Sequence, residues 1–219
     1  NILYSFRRCP FAIRARWALI ETRINVVLRE IDLKQKPENL ILLSPKGTVP
    51  VLQTKDGQII DESFDIILWA LKHSSTKNTL SEISNIHKEE ILQLRKENDY
   101  KFKHHLDRFK YSSRYKDEDD IVHKDAAIEI MYRWNNRIYK SINKGSKGWL
   151  VGQNETIGDW LVWPFVRQYL IADPDLFNKH KELIYIKKWL NYFLNKNTFQ
   201  ILMKKVKKWG PEEMPIYLY

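Results

Sequence analysis

A chain of 219 residues can bury a sizeable core in one domain or two small ones, and 43% hydrophobic with 29% charged residues is the balance of an ordinary folded, soluble protein. No apolar run approaches the roughly 18–20 residues that a membrane-spanning helix needs, which excludes a membrane span as an expectation. The formal charge of +10 raises nucleic acid as a partner, but the basic residues are scattered among acids in both the first third and the remainder, with no recognised binding motif, so no nucleic-acid partner is expected.

Ile2 to Phe6 is a short, mostly apolar run suited to a buried strand. Arg7 and Arg8 follow it directly, so the opening residues carry no secretory pattern. Pro10 opens a helical stretch to about Thr22, with Phe11, Ala15, Ala18 and Leu19 recurring at three- and four-residue spacing. Val26 to Ile31 reads as a second strand, and Pro37 to Leu43 as a short helix. Pro50 to Thr54 and Ile59-Ile60 are two further strands, joined by the hairpin signal Asp56-Gly57. Glu62 to Lys72 is helical again. This β-α-β-α-β-β-α order predicts a four-stranded mixed sheet with helices packed on it.

The pattern changes after His73. Residues 74–80 are polar and read as a linker, and no convincing strand follows. Helices are expected from about Glu82 to Phe109, Ile121 to Ile142, Ile157 to Ile171, Glu182 to Leu194 and Thr198 to Lys208. The last carries the densest basic cluster, Lys204, Lys205, Lys207 and Lys208, which suits a helix C-terminus. The expected organisation is an α/β domain over residues 1–73 and an all-helical domain over residues 81–219.

Cys9 is the only cysteine, which argues against a disulfide framework and for a reducing compartment such as the cytoplasm. It ends a loop after a strand and immediately precedes the helix that starts at Pro10. Free backbone N–H groups and the positive end of the helix dipole favour a thiolate there, and the thiolate is the useful nucleophile. In Cys9-Pro10-Phe11-Ala12 no second cysteine stands where a dithiol centre needs one. A mixed disulfide on Cys9 must therefore be broken by an external thiol, for which glutathione is the abundant cytosolic candidate. A cysteine hydrolase needs a partnering His, and none of the six is singled out by its spacing. His104-His105 are neighbours on a predicted helix, where side chains diverge, so no metal is expected.

These residues resemble a known family. Cys9-Pro10-Phe11-Ala12 with Arg14 and Arg16 is similar to the active-site opening of cysteine-type glutathione transferases, particularly the omega class and omega-like bacterial forms. Lys36-Pro37-Glu38, Gly47-Thr48-Val49-Pro50-Val51-Leu52, Asp61-Glu62-Ser63 and, later, Thr156-Ile157-Gly158-Asp159 match further segments in the same order. The resemblance implies a thioredoxin-like domain followed by a helical bundle, a homodimer, and glutathione as cosubstrate with no tightly bound cofactor. It implies a catalytic Cys9 and a glutathione site from Pro10, Phe11, Lys36, Val49, Pro50, Glu62 and Ser63. There Val49 would pair its backbone with the peptide before a cis Pro50, and Lys36 would neutralise the glycyl carboxylate. Glu62 and Ser63 would hold the γ-glutamyl end. Phe102, Tyr111 and Trp163 are weaker candidates for the acceptor pocket. Thr156 and Asp159 are assigned to helix capping.

The implied reaction is thiol transfer through a Cys9 mixed disulfide with glutathione: deglutathionylation, or reduction of a small disulfide or of dehydroascorbate. Conjugation of glutathione to a small electrophile, and a non-enzymatic binding or regulatory role, are the alternatives. Tyr4 and Ser5, the residue types other transferase classes use, lie nearby but precede the turn.

Overall fold

The computed structural model describes residues 1–74 and 84–219. Most of the expected linker, and the first residues of the helix expected from Glu82, therefore lie outside the described residues. The chain divides into two compact units: Asn1–Asn78 together with Asn195–Tyr219, and Thr79–Leu194.

The first unit is built on a four-stranded sheet in the order β2-β1-β3-β4, with β1 Ile2–Ser5, β2 Val27–Glu30, β3 Val51–Gln53 and β4 Ile59–Ile60. β1 pairs parallel with β2, and β3 pairs antiparallel with both β1 and β4. The parallel pair requires a crossover, supplied by α1 (Pro10–Glu21), and the antiparallel pair β3–β4 is closed by a tight turn. In that turn Gly57 has φ +86°, a conformation glycine adopts without steric penalty. α2 (Glu38–Leu43) and α3 (Ser63–Lys72) complete the β-α-β-α-β-β-α order expected from the sequence and the thioredoxin-like layout that the resemblance implies.

α1 is buried from Ala12 to Ile20, more completely than an amphipathic surface helix, because it lies between the sheet, α3 and a C-terminal helix. Two of its buried residues are Arg14 and Arg16. A buried charge persists only when paired, and Arg16 is: it forms an ion pair with Glu30 and donates to Ser5 Oγ at 2.7 Å and to the Leu202 carbonyl at 3.0 Å.

Those contacts correct the predicted domain boundary. The sequence pattern places residues 195–219 in the helical domain, but they belong to the sheet unit. The final helix, Asn197–Met203, packs on α1, and the chain beyond it runs along the edge of β2. Trp209 N–H donates to the Glu30 carbonyl (2.8 Å), Leu28 N–H to Ile216 (2.7 Å) and Leu218 N–H to Val26 (3.0 Å), with an antiparallel bridge between Val27 and Tyr217. The physical reason is an unpaired sheet edge, whose N–H and C=O groups the tail satisfies. The same helix stops at Met203, short of the predicted end, so the lysine cluster lies past it. Lys208 pairs with Asp32 and Lys207 with Glu213.

The second unit is built of helices, with no strand among its described residues. α4 (Lys88–Lys96) passes through a π-helical turn, Glu97–Phe102, into α5 (Lys103–Lys110). α6 (Asp120–Ile142), α7 (Ile157–Ala172), α8 (Pro174–Lys179) and α9 (Ile184–Leu194) follow, and the helix Asn197–Met203 of the sheet unit is α10. α8 was not predicted. Its six residues show too little periodicity, although Asp173 caps it through Leu176 N–H at 2.8 Å. Among the described residues no helix is long and apolar enough to cross a membrane.

Candidate active site

The strand β1 delivers the chain into a short turn in which Cys9 N–H donates to the Phe6 carbonyl at 2.9 Å. Cys9 then occupies the N-cap position of α1, with extended backbone angles and Pro10 as the first helical residue. Proline costs the helix nothing there, because that N–H has no intrahelical partner. The Cys9 side chain is half-buried and leans on the apolar cluster of Tyr4, Ala12, Ile31, Leu40, Val49 and Val51.

Its Sγ lies 3.7 Å from the Val49 carbonyl oxygen, so the start of α1 and the loop before β3 meet at the sulfur. The Val49–Pro50 peptide is cis, and both residues are buried. Gly47 opens this loop at φ +57°. A Cβ there would come within 2.8 Å of Ile41 Cδ1 and 3.3 Å of Lys36 Nζ, ends of exposed side chains that can move aside, so it is the left-handed backbone that favours glycine. The same geometry draws the exposed Lys36 side chain against the loop.

Glu62 and Ser63 sit at the N-terminus of α3, Glu62 as N-cap and Ser63 as the first helical residue. Ser63 is buried, and its Oγ accepts from Arg14 at 3.5 Å. Arg14 also lies over the Phe11 ring, 5.0 Å from its centre, and so links the cysteine helix to the start of α3. Glu62 is exposed and pairs with Lys46 at 2.9 Å. Lys46 also approaches Asp61 at 3.3 Å, and its ammonium is held above its ordinary pKa by Glu62 first and Asp61 second. Asp61 is held below its ordinary value, chiefly by the Ser44 hydroxyl donating at 2.9 Å.

The sheet unit alone carries Cys9, Pro10, Phe11, Lys36, Val49, Pro50, Glu62 and Ser63 on four segments: the start of α1, the stretch before α2, the loop before β3 and the start of α3. Lys46 escaped the sequence reading, because Ser44-Pro45-Lys46-Gly47 looks like any polar turn.

Tyr4 and Ser5 are committed elsewhere. Tyr4 is buried, its hydroxyl is bonded to Arg29, and its ring meets Trp209 edge-on with centroids 5.9 Å apart. Ser5 Oγ accepts from Arg16.

In the helical unit, Phe102 and Trp163 are fully buried. Phe102 packs on Trp134 and Tyr169, and Trp163 stacks on Phe193 with centroids 5.6 Å apart. Both are core residues, which corrects their selection as pocket walls: aromatics at helical spacing went to the interior. Tyr111 is partly exposed at 37%, with Lys110 and Arg114 over its ring.

A cysteine at a helix N-cap beside a cis-proline loop, on a β2-β1-β3-β4 sheet followed by a helical unit, defines a thioredoxin-like protein with an appended helical domain. Residues 3–78 match the family model of the glutathione S-transferase N-terminal domain. Glutathione S-transferase omega-1 of Sus scrofa is 44% identical over 61 residues, 28% of this chain and 25% of the pig protein. The curated match thus spans only a quarter of that relative's length. Two solved structures share the fold over most of both chains. A glutathione S-transferase of Rhodospirillum rubrum F11 has a TM-score of 0.71 at 21% identity, covering 98% of this chain and 96% of that one. The glutathione transferase URE2P8 of Phanerochaete chrysosporium, solved with oxidized glutathione, has a TM-score of 0.72 at 17% identity, covering 92% of each. Residues 3–78 thus carry a glutathione S-transferase N-terminal domain, and the chain as a whole shares the fold of solved glutathione transferases.

Proposed function

We propose that this protein is a glutathione-dependent thiol transferase in which Cys9 is the nucleophile. The observation that carries the reading is the Cys9 sulfur at the N-cap of α1, 3.7 Å from the Val49 carbonyl, while Tyr4 and Ser5 are buried in other bonds. The remaining hydroxyl and phenol near the turn are thus occupied in structure, and the cysteine is the group at hand for chemistry on sulfur.

The cycle has two exchanges. The Cys9 thiolate attacks the glutathionyl sulfur of a mixed disulfide, forming Cys9–S–S–glutathione while the acceptor leaves as a thiolate and takes a proton from water. A second glutathione, having given up its thiol proton, attacks that glutathionyl sulfur, releasing oxidised glutathione and the Cys9 thiolate. Atoms and electrons balance with glutathione as the only reductant.

Each bound-ligand role has a supporting feature. Val49 lies beside the sulfur, where an extended peptide can pair with backbone. The N-terminus of α3 offers N–H groups to the γ-glutamyl carboxylate beside Ser63. Glu62 is exposed, and an exposed ion pair such as Glu62–Lys46 is weak enough for a ligand ammonium to compete with. Lys36 supplies positive charge at the loop for the glycyl carboxylate. Small disulfides, glutathionylated thiols and dehydroascorbate fit this chemistry as acceptors, in a reducing compartment such as the cytoplasm. A homodimer is consistent with the family.

The test is Cys9→Ser, assayed with a glutathionylated thiol and with a chloronitrobenzene electrophile. Thiol transfer is expected to fall by about 10³-fold or more, while conjugation, which uses the sulfur of glutathione itself, persists or rises. Retention of thiol transfer by the serine variant would sink the proposal, and a wild-type protein that turns over neither substrate would favour the binding-module alternative.

A further inference from the structure

Three histidines meet within the helical unit, remote in sequence from Cys9. His104 and His105 lie on α5 and His123 on the first turns of α6. The divergence expected of helix neighbours is overcome by His123, which meets both rings: its centroid is 5.6 Å from that of His104 and 5.2 Å from that of His105. One ring nitrogen from each of the three falls within 4.8 Å of the others.

The contacts fix which nitrogens face inward. His105 Nδ1 and His123 Nδ1 are 2.9 Å apart. Two imidazole nitrogens come this close only when they share a proton or turn to a common cation. The other nitrogen of His123, Nε2, is 2.9 Å from Glu118 Oε2, and that carboxylate is held in turn by Arg108 Nε at 2.7 Å. A carboxylate on the far nitrogen is the arrangement that orients a metal-binding histidine: it accepts a hydrogen bond from Nε2–H and leaves the Nδ1 lone pair directed at the ion. Arg108 is neutralised by the same carboxylate, so its charge does not simply oppose a cation nearby. Burial is graded, with His123 enclosed, His105 partly covered and His104 open to solvent.

We infer that His104, His105 and His123 form a binding site for a divalent first-row transition ion of the zinc type, with Glu118 as its outer support. Three imidazoles match zinc, nickel or copper rather than magnesium or calcium, which require oxygen ligands. Zinc–nitrogen bonds of about 2.0–2.1 Å in a tetrahedron place ligand nitrogens about 3.4 Å apart. The His105–His123 pair therefore opens by a few tenths of an ångström, with the shared proton leaving to solvent, and the exposed His104 ring closes onto the ion. A fourth position stays open to water. The ion would tie α5 to α6 across the turn between them, independently of Cys9.

The experiment is calorimetric titration of zinc into untagged, chelator-treated protein, with the visible absorption of cobalt(II) reporting coordination. One ion per chain is expected, with tetrahedral cobalt bands and a raised melting temperature, all retained in Cys9→Ser. His104→Ala, at an exposed position that does not threaten the fold, and His105→Ala should each weaken zinc at least 10-fold, and Glu118→Gln about 10-fold. No saturable binding, binding indifferent to His104→Ala and His105→Ala, or binding lost in Cys9→Ser would each overturn the assignment.

Discussion

Arg16 holds the ground beneath the candidate nucleophile. Its guanidinium is fully buried, and burial pulls its pKa below the ordinary arginine value, opposed chiefly by Glu30. Glu30 also accepts from the Arg7 backbone at 2.8 Å, and Arg7 reaches the Met203 carbonyl at 3.0 Å. The Cys9 turn is thereby fastened to β2 and to the end of α10. Removing one partner of such a buried pair leaves an uncompensated charge, so Arg16→Met should cost about 3–5 kcal/mol in urea unfolding, and adding Glu30→Leu should recover most of it. A single-variant cost below about 1 kcal/mol would contradict this role. The sequence marks Arg14 and Arg16 as members of a motif, yet nothing local identifies Glu30 as the partner. That pairing exists only once β1 and β2 lie parallel. Cys9, by contrast, is legible because its surroundings are its own sequence neighbours: a strand before it and a proline after it.

At the scale of elements, the N-terminus of α7 is the clearest case of local sequence writing local structure. Thr156 and Asp159 form the expected capping box, with Thr156 N–H donating to Asp159 Oδ2 at 2.9 Å. Asp159 does more than cap: it also accepts from Leu150 N–H at 3.0 Å and Trp189 Nε1 at 2.9 Å, fixing the preceding turn and α9. Those long-range partners were not readable from the spacing. Burial pushes its carboxyl up to about 6 from 3.8, against the pull of its hydrogen bonds. The folded state thus binds the proton more tightly than the unfolded chain, and this group's contribution is full below about pH 4 and lost as pH rises through about 6. Asp159→Asn cannot titrate, so the stability gap between wild type and variant should shrink by about 2 kcal/mol from pH 4.5 to pH 7. Denaturant midpoints at the two pH values check this, and a gap that widens with pH would show that the hydrogen bonds prevail over burial.

For the whole molecule, the misplaced boundary has a physical source. Periodicity reports helices and strands, but not which unit an irregular tail joins. The tail from Lys204 has no pattern of its own, and its place is set by the edge of β2, by Arg29 lying 4.1 Å above the Trp209 ring, and by Leu218 in the core. The element order and the four-stranded mixed sheet were legible, because alternating elements and one hairpin leave few right-handed connections to choose from, while the thioredoxin-like layout came from the family resemblance. Truncation after Met203 should therefore unfold or aggregate the sheet unit first, exposing an edge strand. Limited proteolysis followed by mass analysis would show early cuts within residues 1–74. Unchanged protection there would mean that the tail is dispensable.

The central claim is that Cys9 exchanges reversibly with glutathione. The direct test is intact-protein mass spectrometry after incubation with oxidised glutathione at neutral pH, followed by addition of reduced glutathione. The account predicts a single added glutathionyl group located at Cys9, gained quickly by the folded protein and removed by the second thiol. A protein that stays unmodified when folded and reacts only after denaturation would contradict it.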